Sequence, residues 1–323
     1  MLVILFIIIG IILFLSIISL TIYLVIAKKY NAQFNHRQEL NPLVKSYTKD
    51  DYNLLEEKII IPYKNDNIVG YLYNLDNYDS NKLIIFCHGF FSTKEAYIQD
   101  VGYLCQNNYQ VFLYDAFVTN ESSSNLESFG SFMKALDIVI NYFNNNDNYK
   151  NKEIYIVGHS LGAYSAGNIV KIHKQIKGIC LLAPLYSIYD IIYSRLNNKL
   201  LTNICLNIDN KNSNGYSKYN LHDSLKDYKG KILIIHSLDD NIINTNYVKD
   251  KLKDLDNIEY ITVNNRLHNP EYKIEAVNKL NQFVSELSKV NPNDYSELYS
   301  KQDFKSMGEL DNNIMDKIVE FLR

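Results

Sequence analysis

Six short and nearly unbroken apolar runs recur along the chain with helix-like stretches between them: KLIIFC (82–87), QVFLYD (110–115), EIYIVG (153–158), GICLLAP (178–184), KILIIHS (231–237) and IEYITV (258–263). A strand that is apolar on both sides needs cover on both faces, and parallel neighbours need a crossover between them. The alternation therefore confines the chain to a mainly parallel sheet flanked by helices. The helix-like stretches are 94–106, 128–143, 161–173, 246–255 and 271–287. Ahead of them, KIIIPY (58–63) and NIVGYLYNL (67–75) are β-branched and aromatic and are followed by DNYDSN, which predicts an antiparallel hairpin opening the sheet. Two stretches break the pattern. Residues 185–230 lack a strand signal and carry LYSIYDIIYSRL, as expected of a small helical lid inserted between strands. Residues 288–309 contain NPND and read as a polar connector before the amphipathic DNNIMDKIVEFLR. No repeat or low-complexity linker splits residues 57–323, which are expected to form one domain.

The segment Leu2 to Ala27 is uncharged, and as a helix it would extend roughly 39 Å, enough to cross a bilayer with some tilt. It lacks the basic start, shorter apolar core and small-x-small site of a secretory signal peptide. Residues 1–28 are therefore read as a retained single-pass anchor in the cell membrane, and 29–56 as a juxtamembrane connector with room for one helix. Lys28, Lys29 and Arg37 follow the span and nothing basic precedes it, which favours a cytoplasmic domain. The net charge of -3, from 33 basic and 36 acidic residues, leaves no positive excess to neutralise phosphates, so nucleic acid is set aside as a partner. Cys87, Cys105, Cys180 and Cys205 form no CxxC pair and are expected as buried thiols rather than disulfides or metal ligands.

Gly158-His159-Ser160-Leu161-Gly162 lies between the run EIYIV and a helical stretch. Turning directly from strand to helix strains the residue at the corner and leaves no room for side chains at 158 and 162. It also lifts the serine hydroxyl above the carboxyl edge of the sheet. The amide of Leu161 then stands at a helix N-terminus, facing the place of an oxyanion. Ser160 needs a base to become a nucleophile, and the base needs an acid to orient it. Among seven histidines only His268 follows the last run. His36 is beside the membrane segment, His88 and His159 flank glycines, His173 ends a helix, His222 lies in the insertion and His236 is inside a strand. Asp239 and Asp240 both sit at the carboxyl end of KILIIHS. Asp240 is preferred as the acid and Asp239 as a loop cap, with the choice between them open. A second oxyanion amide is expected from the loop Cys87-His88-Gly89-Phe90-Phe91, at Phe90.

HGF at 88–90, GHSLG at 158–162, LDDNII at 238–243 and His268 together resemble the α/β-hydrolase superfamily. The resemblance is nearest to its serine-hydrolase branch of monoglyceride-lipase-like and serine-aminopeptidase-like enzymes, including membrane-anchored bacterial members. It covers 57–323 and implies an eight-stranded sheet, a helical lid before the acid-bearing strand, the order Ser160, Asp240, His268, and neither cofactor nor metal. One departure is visible. Where such enzymes often carry D-x-R-G-x-G-x-S, this chain reads DAFVTNES (115–122), with Phe117 and Val118 at the usual Arg and Gly. The expected activity is hydrolysis of a small-molecule or lipid-derived carboxylic ester. Peptidase and thioesterase chemistry use the same constellation, and a non-catalytic binding scaffold at the membrane is the reading from another class. Haloalkane dehalogenation would need an aspartate at position 160.

Overall fold

The computed structural model describes residues 2–34, 39, 41–117, 119–123 and 128–323; His36 and Arg37 of the connector and Val118 of the loop after QVFLYD lie outside them. The chain begins with α1 (Leu2–Ala32), then forms the hairpin β1 (Leu55–Tyr63) and β2 (Asp66–Asn74) and the first parallel strand, β3 (Lys82–Cys87). Next come α2 (Ile98–Gln106), β4 (Gln110–Tyr114), α3 (Ser131–Asn145), β5 (Glu153–His159), α4 (Leu161–Ile169) and β6 (Gly178–Leu182). The insertion contributes α5 (Ile188–Leu196), α6 (Lys199–Asn212) and α7 (Leu221–Leu225). It is followed by β7 (Lys231–Ser237), α8 (Thr245–Lys251), β8 (Ile258–Val263) and α9 (Ile274–Leu287). The chain closes with α10 (Tyr295–Ser300), α11 (Phe304–Met307) and α12 (Asn312–Leu322).

The eight strands make one sheet in the order β1-β2-β4-β3-β5-β6-β7-β8. The hairpin pairs antiparallel, with Ile61 opposite Ile68, and β2 runs antiparallel to β4. All pairs from β4 through β8 are parallel. The apolar runs are continuous because each strand feeds two cores. In β3, Leu83, Ile85 and Cys87 point into the layer containing α3, α4 and the lid. Ile84 and Phe86 point into the layer containing α2, α9 and α12. Each such fully buried side chain contributes roughly 1.5–3 kcal/mol relative to exposure. Edge strand β1 alternates instead, with Ile59 and Ile61 buried and Ile60 exposed. All four cysteines are free and buried.

Three expectations need correction. The stretch 288–309 is not a plain connector: it folds into a turn at Pro292–Asp294 followed by α10 and α11. Tyr299 and Phe304 pack their rings on Phe283 of α9 at 5.2 and 5.4 Å, which supplies the apolar anchor that its polar composition concealed. Helix α4 stops at Ile169 rather than continuing to 173. The N-terminal helix runs past residue 28 to Ala32, and its end docks on the domain, with Tyr30 in its last turn and Phe34 just beyond it both buried. Tyr30 Oη donates to Asp209 Oδ2 of α6 at 2.6 Å, and the Phe34 ring meets Phe129 edge-on at 5.1 Å.

Candidate active site

Ser160 occupies the corner between β5 and α4 with φ 56° and ψ −116°, a left-handed φ in a residue with a side chain. Such a conformation persists only where its surroundings enforce it. The enforcement is visible on both sides. The Ser160 amide donates to Leu182 O of β6 at 2.9 Å, and Tyr164 N reaches back to Ser160 O at 3.0 Å. A Cβ at Gly158 would stand 2.6 Å from Gly162 O, and one at Gly162 would collide with Cys87 O. The strand-to-helix turn therefore closes directly against the end of β3.

The end of β3 brings the second loop to the same place. His88 is buried; its Nε2 accepts from Ala116 N at 2.9 Å, so its Nδ1–H donates to Gly89 O at 2.8 Å. Burial pushes the imidazole pKa below its usual value and keeps it in this neutral form. The loop held in this way puts Gly89 beside the nucleophile: a Cβ there would lie 3.4 Å from Ser160 Cβ. Among the described residues, neither the Phe90 amide nor the Leu161 amide has a protein acceptor, the second because it begins a helix.

Asp240 and His268 meet beyond the ends of β7 and β8. His268 Nδ1–H donates to Asp240 Oδ2 at 2.8 Å, which in the neutral imidazole leaves Nε2 as the acceptor. The same oxygen accepts from His236 Nε2 at 3.0 Å, while Oδ1 accepts from the amides of Ile242 and Ile243 at 2.8 and 2.9 Å. Burial alone would raise this carboxyl, but the hydrogen bonds from His236 and His268 outweigh it and hold the pKa well below the usual range. Asp239 turns elsewhere, to Ser237 Oγ at 2.5 Å and the Arg266 amide at 3.3 Å. It caps the loop and does not touch His268.

A third set of contacts joins the two halves of the site. His159 Nε2 lies 2.8 Å from His268 O, which only accepts, so that nitrogen carries the proton. Nδ1 must then accept from Tyr97 Oη at 2.9 Å, and Tyr97 Oη in turn accepts from Gly89 N at 3.0 Å. A chain of three hydrogen bonds thus runs from the Gly89 loop to the His268 loop beneath Ser160. Burial first, and the neighbouring His268 second, drive the His159 pKa down to about 3, so this link stays neutral. The rings of His159 and His268 are 5.0 Å apart, which sets His268 over the end of β5. Among the described residues no hydrogen bond links Ser160 Oγ to the His268 ring. Contacts of this kind often tighten only with substrate bound.

Sequence reasoning passed over Tyr97, His159 and His236. The missed signal for His236 was its place near the end of a run buried on both faces, because a polar group there requires a partner. The departure at 117 also has a structural counterpart. Phe117 is buried under the Lys134 ammonium, 6.0 Å from its ring, and packs on Tyr63. Among the described residues no cluster of three or more His, Cys, Asp or Glu side chains is arranged to hold a metal.

A family model described as serine aminopeptidase, S33, matches residues 78–237, a span that holds the Gly89 loop and Ser160 and stops short of Asp240 and His268. Comparison with curated proteins gives no match. Among solved structures, the esterase Pf2001 of Pyrococcus furiosus is similar with a TM-score of 0.56 and 19% identity, over 78% of this chain and 97% of that one. Est1E of Butyrivibrio proteoclasticus with ferulic acid bound gives 0.55 and 17%, over 72% and 100%. Dienelactone hydrolase from Anabaena variabilis gives 0.50 and 13%, over 72% and 96%. Identities this low speak for the fold alone. The sheet order, the strained serine between β5 and α4, and these similarities agree: the chain has the α/β-hydrolase fold, and the family model it matches spans the part that carries Ser160.

Proposed function

We propose that the protein is a membrane-anchored serine hydrolase that cleaves a carboxylic ester through an acyl-enzyme on Ser160. The observation that carries this reading is the 2.8 Å contact between His268 Nδ1 and Asp240 Oδ2, which leaves Nε2 of the neutral imidazole as the acceptor, at the end of the sheet where the strained turn presents a half-buried Ser160. In the first half-reaction Nε2 takes the hydroxyl proton as Oγ bonds to the carbonyl carbon. The oxyanion accepts from the amides of Phe90 and Leu161, and the departing alkoxide leaves with the proton from Nε2. Water then gives a proton to Nε2 and its oxygen to the acyl carbon, and Ser160 leaves reprotonated. No step requires a cofactor or metal.

The test is labelling by a fluorophosphonate probe. Wild-type protein is expected to label and Ser160→Ala is not, with kcat on a short acyl ester falling roughly 10⁶-fold. Absence of labelling in the wild type would favour a binding scaffold. The description of the matching family model favours a second reading, a peptidase using the same residues. A strict preference for aminoacyl amides over acyl esters would select it.

Membrane attachment rests on α1, whose residues Ile4–Ala32 are long and apolar enough to span a bilayer. Lys28 and Lys29 after the uncharged run favour a cytoplasmic domain. Protease shaving of intact cells reads that side directly.

A further inference from the structure

A cleft of about 300 Å³ opens between the end of α1 and the lid, lined by Ile26, Lys29, Phe129, Ile192, Arg195 and Leu201 among others. Its volume falls at the lower end of the range for small-molecule sites. The walls are apolar and the rim is cationic. Lys29 is exposed and Arg195 lies 5.7 Å over the Phe129 ring, with Gln33 Oε1 at 3.4 Å as its only side-chain hydrogen-bond partner among the described residues. Among the described residues neither cation is ion-paired. The buried acid on this side, Asp209, is taken up by donors from Tyr30, Ser217 and the amides of Phe129 and Gly130. Leu200 and Leu201, at the start of α6, are 70% and 36% exposed, so the lid presents apolar surface where α1 leaves the uncharged run.

We infer that this cleft binds an anionic bilayer lipid, with its acyl chain among Ile26, Ile192 and Leu201 and its charged headgroup at Lys29 and Arg195. The inference rests on the reading of α1 as a membrane helix. An unpaired lysine two residues past an uncharged span stands at headgroup depth, where each basic residue adds to anionic-lipid affinity. The bound lipid would also bear on catalysis. Phe129, on the inner wall, meets Phe90 of the oxyanion loop at 5.1 Å, so an acyl chain in the cleft is separated from the expected oxyanion amide by a layer of aromatic side chains.

The test uses full-length Ser160→Ala protein in phosphatidylcholine nanodiscs doped with phosphatidylglycerol or phosphatidylcholine bearing the same diazirine-labelled acyl chain. Turnover then plays no part. The anionic probe is expected to crosslink peptides carrying Ile192 and Leu201 several-fold more than the zwitterionic one. Lys29→Gln with Arg195→Gln is expected to weaken that capture by roughly tenfold or more, and Leu201→Trp to block it by filling the cleft. Equal labelling by the two headgroups, labelling confined to residues 4–25, or indifference to Leu201→Trp overturns the inference. So does displacement by inorganic phosphate alone, which would mark a phosphate site without an acyl chain. Carbonate extraction of whole membranes reads the anchor separately. Release of the protein removes the membrane reading and this inference together, whereas retention without anionic preference removes only the inference. Short-ester hydrolysis by the wild type reports on the serine chemistry independently of both.

Discussion

One loop after β8 touches two buried acid sites that behave in opposite ways. At His268 it meets Asp240, whose carboxylate receives two imidazole donors and two backbone amides. Three residues on, Glu271 is buried near Asp100 of α2, and all four of their carboxyl oxygens lack a hydrogen-bond partner among the described residues. Both sites are removed from water, so burial by itself pushes every one of these carboxyls up. At Asp240 the donors reverse the sign. At Asp100 burial, aided by the charge of Glu271, leaves the group raised, and burial pushes Glu271 up to about 8. The contrast shows that depth alone does not make an ionised acid. A carboxylate that must hold an imidazole in place needs its other lone pairs occupied.

The largest effect is expected from removing the charge at the first site while keeping its shape. Asp240→Asn should lower kcat for a short ester by about 10⁴-fold through loss of the correct His268 tautomer, with fluorophosphonate labelling slowed in parallel. A loss under tenfold would mean that Asp240 is no more engaged than Asp100. A smaller effect is expected from taking away a single donor. His236→Phe should reduce kcat roughly tenfold, the worth of one hydrogen bond to a charged group. It should also move the acid limb of the pH–rate profile upward, because Asp240 is then held less firmly; a purely structural role for His236 would leave that limb in place.

The smallest effect concerns stability and has opposite signs at the two sites. Asp240 has a depressed pKa when folded, so its contribution is present above the ordinary value of 3.8 and is lost as the pH falls below it. Glu271 has a raised pKa when folded, so its protonated form favours the fold below 4.5 and that advantage is lost as the pH climbs toward about 8. Thermal melts of the full chain in detergent should therefore decline from pH 5 to 8, by at most about 1.4 kcal/mol per pH unit for one proton. Glu271→Gln should flatten the decline by a few degrees in Tm. A slope unchanged in that variant would show that Glu271 is ionised in the fold.

Much of this protein was legible because its signals are local. The runs 82–87, 153–158 and 231–237 announce strands covered on both faces, and they are buried almost throughout. The strained corner at Ser160 was readable from two glycines and a change of period, since steric exclusion acts over four residues. The pairing of His236 with Asp240 was hidden because a histidine in an apolar run looks the same whether it packs or donates. The Tyr97–His159 link joins residues 62 apart and was equally silent. In 288–309 the short helices depend on Phe283, which belongs to the preceding element.

By itself the sequence determined the alternating architecture, the serine corner and the apolar N-terminal helix, because hydrophobic periodicity and backbone sterics are properties of neighbouring residues. The tertiary structure alone decided which aspartate meets His268, how a neutral His159 ties the Gly89 loop to the His268 loop, and that the N-terminal helix ends against the lid. Those outcomes depend on strand order and on helix docking. Both are fixed by burying two extensive apolar layers at once, and that condition has no expression within any single stretch of the chain.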